Sequence, residues 1–85
     1  MALHLPPDVV YRSLGASGVV VNLRTNQIFE LNTTGARIWD LIAGGVPTPE
    51  ITRALVEEFV VDPETAAAQT RQLVTDLVQH GLLQL

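Results

Sequence analysis

The chain has no cysteine and no lysine. Without thiols there is no disulfide, no thiolate metal site and no cysteine nucleophile, and a cytoplasmic setting is the default. All of the bases are arginine (Arg12, Arg24, Arg37, Arg53 and Arg71), scattered along the chain rather than clustered. Nine acids against five bases leave a formal net charge of −4. The basic patch that a nucleic-acid or anionic-membrane partner needs is therefore missing. No apolar run approaches the roughly 20 residues that cross a bilayer. The start, MALHLPPDVV, lacks the basic and continuous apolar regions of a secretory signal.

Catalytic equipment is equally scarce. The two histidines, His4 and His80, lie at opposite ends of the chain, and Ser13 and Ser17 fall in or near a turn. No pair of His or Cys stands at metal-ligand spacing. Gly44-Gly45 has no lysine to make a phosphate-binding loop and reads as a helix stop. These absences describe a protein that is not an enzyme and takes neither cofactor nor metal.

What is present is apolar and well punctuated. Hydrophobic residues make up 47% of 85 residues, enough for one domain around a single core. After a loose lead-in over residues 1–8, which holds Pro6 and Pro7, Val9–Leu14 reads as a first strand ended by a turn at Gly15–Gly18. Val19–Leu23 and Gln27–Leu31 then read as a hairpin. A three-residue loop of Arg24, Thr25 and Asn26, with Asn26 left-handed, pairs Leu23 with Gln27, Val21 with Phe29 and Val19 with Leu31. That register gathers Val19, Val21, Leu23, Phe29 and Leu31 on a core face and leaves Val20, Asn22, Ile28 and Glu30 on the other.

Three helices follow. Asn32 or Thr33 caps a helix over Thr33–Ala43 whose only polar wedge is Arg37 and Asp40. Thr48-Pro49-Glu50 starts a second helix with a cap, an early proline and a first-turn acid; Ile51, Ala54, Leu55 and Phe59 form its inner stripe. Asp62-Pro63-Glu64 starts a third, which runs to about His80 and stops at Gly81. Its apolar arc, from Leu73 and Ala66 round to Ala67 and Val78, spans about 140°, wider than the roughly 100° a surface helix needs. The edge of that arc, Ala67, Val74 and Val78 beside Arg71, is either core or the wall of an apolar groove. The class is α+β: a three-stranded antiparallel sheet followed by three helices, with one sheet edge free for a guest strand.

The pattern GVVVNLRTNQIFELNTTGARIWDLIAGG, a helix beginning at TPE, then Val-Asp-Pro-Glu and a final helix ending His-Gly-Leu-Leu resembles the PqqD-like proteins. These are recognition elements for ribosomally made precursor peptides. Leu31-Asn32, the Gly35/Ile38-Trp39 set and the closing Gly-Leu are its most specific pieces; Asn26 stands where the family commonly has Gly. The resemblance implies a winged-helix-like domain without catalysis. It also implies that a leader peptide adds beside Gln27, Ile28, Phe29, Glu30, Leu31 and Asn32, against a helical wall of Ala67, Arg71, Val74 and Val78. A stand-alone chain looks most like the leader-binding proteins of lasso-peptide clusters, whose partner is a leader peptidase of the transglutaminase-like cysteine-protease type. A stand-alone PqqD of pyrroloquinoline quinone synthesis is the near alternative. A winged-helix DNA-binding domain is the alternative of another class, and the thin basic content speaks against it.

Overall fold

The computed structural model describes residues 3–84. Strands β1 (Val9–Leu14), β2 (Ser17–Asn22) and β3 (Gln27–Leu31) precede helices α1 (Thr33–Ala43), α2 (Thr48–Glu58) and α3 (Pro63–Gln79). The sheet is antiparallel in the order β1-β2-β3, so β3 is an edge strand. The α+β plan expected from the sequence is the plan observed.

The hairpin register differs from expectation by one residue. Asn22 pairs with Gln27, Val21 with Ile28, Val20 with Phe29 and Gly18 with Leu31. The loop is therefore four residues, Leu23 to Asn26, with Asn26 left-handed at φ 62°. The extra residue turns β2 over. Val20 and Asn22 are buried beside Phe29 and Leu31, whereas Leu23, expected in the core, is 62% exposed. Three successive valines, Val19 to Val21, make either face of β2 apolar, so hydrophobicity does not choose between the registers. Two local requirements do.

The first is Asn22. Its Oδ1 accepts from the backbone N–H groups of Arg24 (2.9 Å) and Thr25 (3.2 Å), building the loop as an Asx-type turn. Its Nδ2 donates to the carbonyl of Gly81 at 2.9 Å, just past α3. The side chain is only 2% exposed and uses both ends of its amide, so its burial is compensated. The second is Gly18, over which the Tyr11 ring lies; a Cβ there would collide with the phenol. Tyr11 in turn stacks on Trp39 of α1, with centroids 5.9 Å apart.

The core lies between the inner sheet face and the helices, centred on Val20, Leu31, Ile38, Trp39, Ile51, Leu55, Leu77 and Leu82. Asn32 caps α1, accepting from the Gly35 N–H at 2.8 Å. Asp62 caps α3, accepting from Thr65 at 2.7 Å. Thr48, expected as the cap of α2, instead lies inside it: Pro47 takes the cap position without a side-chain bond. The lead-in is also more ordered than expected. His4 and Gln84 exchange backbone bonds of 2.8 and 2.9 Å, and Pro6 is buried; residues 1 and 2 of the expected loose segment lie outside the described residues.

Replacing Asn22 with Ala removes the turn acceptor and leaves the Gly81 carbonyl without its donor. Urea denaturation should show a loss of about 1–3 kcal/mol. Two carboxylates contribute to the pH dependence of stability. Glu58 is held below its usual range chiefly by the hydrogen bonds from Arg37, and Asp62 chiefly by the Thr65 backbone N–H. Groups whose folded pKa is lowered contribute stability that is complete above their unfolded pKa and disappears as pH falls through the folded one. Glu58→Gln and Asp62→Asn should each flatten the loss of stability below about pH 5 seen in acid-unfolding curves.

Candidate functional site

β3 alternates its side chains across the sheet. Phe29 and Leu31 turn inward, while Ile28 is 64% exposed and Glu30 is also on the outer face. The outer face carries two cross-strand rows: Val10, Val21 and Ile28, then Arg12, Val19 and Glu30. Beyond β3 no further strand pairs among the described residues. Its outer backbone groups border a groove of about 490 Å³.

The groove is built from three elements. β3 contributes Phe29, Glu30 and Leu31 on one side. The start of α1 forms the floor with Asn32, Thr34, Gly35 and Ile38. Gly35 keeps this floor low, because a Cβ there would sit 3.3 Å from the capping Oδ1 of Asn32 and 3.4 Å from Leu31. α3 forms the opposite wall with Ala68, Gln69, Gln72, Leu73 and Asp76. Gln72 donates to Asp76 Oδ1 at 2.9 Å, tying two wall residues together. His80, at the end of α3, meets Phe29 edge to face with centroids 5.4 Å apart.

Of the residues expected at a peptide site, Phe29, Glu30, Leu31 and Asn32 line the groove. Gln27 and Ile28 are on the same strand but outside the lining. Ala67, Arg71, Val74 and Val78, the expected wall, do not line it: they occupy a flank of α3 roughly 160° away at 100° per residue. Val74 and Val78 pack against the core, and Arg71 is exposed. The wall that does face β3 is mostly polar, so apolar periodicity reads it as a solvent face. Its legible signal was the row Gln69, Gln72, Leu73 and Asp76 at helical spacing.

The described residues hold no cluster of His, Asp or Glu suited to a metal ion, and no helix among them is long and apolar enough to cross a membrane. What the site offers is an unpaired strand edge, a low floor of mixed polarity around Gly35 and Ile38, and a mostly polar helical wall. Such geometry defines a small α+β domain equipped to receive an extended chain. The family model of coenzyme PQQ synthesis protein D (PqqD) matches residues 17–83, and the chain belongs to that family. No curated protein matches the chain in sequence. Among solved structures, TbiB1 in complex with the TbiA(beta) leader peptide is 30% identical, with a TM-score of 0.89 over 99% of this chain and 95% of that one. A lasso peptide synthetase B1 complexed with the leader peptide is 22% identical, with a TM-score of 0.90 over 100% of both chains; that match speaks to the fold.

The two flanks of α3 should respond differently to substitution. Val74→Asp places an unpaired charge against the core and should cost more than about 2 kcal/mol in urea denaturation. Ala68→Trp, from an exposed position on the groove side, should stay within about 0.5 kcal/mol of the parent.

Proposed function

We propose that this chain is a non-catalytic peptide-binding protein that captures the leader segment of a ribosomally synthesised precursor. The leader adds as a fourth strand along β3 and lies between β3 and α3. The protein then presents it in the cytoplasm to a leader peptidase of the transglutaminase-like cysteine-protease type, or to another modifying enzyme, in lasso-peptide biosynthesis. The observation that carries this reading is the free β3 edge running beside a groove lined by Leu31, Gly35 and Ile38. Family membership and the likeness to a leader-bound TbiB1 support it. The PqqD family model also favours a second reading, service as the peptide chaperone of pyrroloquinoline quinone synthesis; the two share the binding step and differ in the peptide.

The physical division of labour follows from the site. Backbone groups of Gln27 to Asn32 supply hydrogen bonds that tolerate any sequence, and the groove selects side chains at alternate positions. A leader disordered in solution loses about 2–5 kcal/mol on ordering. Burial of two apolar anchors at about 1.5–3 kcal/mol each offsets this. A DNA-binding role finds no support here, since neither the groove nor its wall contains an arginine.

Titration with the synthetic leader of the precursor encoded beside this chain tests the proposal. Amide shifts should concentrate in Gln27–Asn32 and on the Ala68–Asp76 side of α3. Ala68→Trp and Ile28→Asp should each weaken binding about tenfold while the domain stays folded; parent affinity in both would remove the groove and the outer side of β3 from the mechanism.

A further inference from the structure

The groove has a charge that its shape does not require. Two acidic residues border it, Glu30 by its place on β3 and Asp76 in the α3 wall, and none of the arginines and neither histidine does. The protein's own cations are elsewhere. Arg37 is engaged by Glu58 at 2.7 Å and Arg24 lies 3.9 Å from Asp8. Arg71 projects from the other flank of α3. Arg12 shares a cross-strand row with Glu30, but Val19 stands between them. Two strand spacings separate the pair, about 10 Å, roughly a Debye length at ordinary salt. Glu30 therefore has no ion pair among the described residues. Asp76 accepts from Gln72 through Oδ1, and its Oδ2 has no hydrogen-bond partner among them.

The two acids also meet different faces of the guest. Glu30 lies on the outer face of the sheet, so it adjoins guest side chains that point away from α3. Asp76 stands in the α3 wall and adjoins those that point into the groove. Because strand side chains alternate, the two sets of guest positions have opposite parity.

We infer that the groove selects a basic leader: one carrying Lys or Arg opposite Glu30 and a second facing Asp76, an odd number of positions apart. This rests on peptide capture at β3 and specifies what is captured. Like charges directly opposite one another in a sheet are destabilising, so an acidic segment of the same apolar pattern is rejected by the same two residues. The floor supplies attachment, and the acids decide among leaders.

The test uses the full chain and the synthetic leader encoded beside it, with β3 amide shifts read alongside affinity. Glu30→Gln and Asp76→Asn should each weaken binding about two- to fivefold, the range of exposed ion pairs. The double variant should lose more than either, and raising salt should weaken the parent but not the double variant. Glu57→Gln, on the exposed side of α2, should bind like the parent; an equal loss there would mean that only net charge matters and would overturn the inference. Leader analogues with one base replaced by Gln should lose their sensitivity to one acid each. If the parent shows β3 shifts but the groove variants match it at every salt concentration, charge selection fails and peptide capture stands. A bound leader without basic residues would have the same consequence. If no β3 shifts occur at any leader concentration, the proposed function itself fails.

Discussion

The amide of Asn22 holds together the parts that make the site. It closes the hairpin loop through Arg24 and Thr25 and ties the end of α3 to the sheet through Gly81. The first contact sets the register, and the register decides which residues of β2 support β3 from behind. The second fixes where α3 ends relative to the strand it faces. Leu82 and Leu83, buried immediately afterwards, lock the tail, and Gln84 continues into a backbone pair with His4. A groove between a strand and a helix is only as well defined as the joint between them. Here that joint is one buried side chain with both polar ends satisfied.

A division between support and recognition runs along each element of the site. On β3, Phe29 and Leu31 pack inward while Ile28 and Glu30 stay outside. On α3, Ala66, Thr70 and Leu77 are buried, whereas Gln69, Gln72 and Asp76 line the groove. Even the buried Thr70 is satisfied locally, donating to the Ala66 carbonyl at 2.9 Å. Most of the core thus lies apart from the groove, with Leu31 and Ile38 shared between the two. The polar wall residues can then vary without loss of the fold.

Much of this was legible residue by residue. Gly44 as the end of α1, Asp62-Pro63 as the start of α3 and left-handed Asn26 all follow from local backbone chemistry and are found as expected, and of the two caps expected for α1 the structure uses Asn32. The β3 alternation was also readable, because Phe29 and Leu31 are large and Glu30 is charged. The face of β2 was not readable: Val19, Val20 and Val21 are interchangeable by hydrophobicity, and the deciding partners of Asn22 and Gly18 are Gly81, far along the chain, and the Tyr11 ring. The α3 flank that lines the groove differs from the one expected, for a related reason. A groove wall made of glutamines and an aspartate has the periodicity of a solvent face, and only the proximity of β3 distinguishes it.

The sequence by itself determined the class of the protein. Turn residues, caps and apolar periodicity act within a few residues of one another, so three strands, three helices and a free β3 edge are written locally. The tertiary structure alone decided the register of the hairpin and the flank of α3 that faces β3. Both depend on contacts that apolar periodicity does not encode: the Asn22 amide to its own loop and to Gly81, the Tyr11 ring over Gly18, and α3 set beside β3.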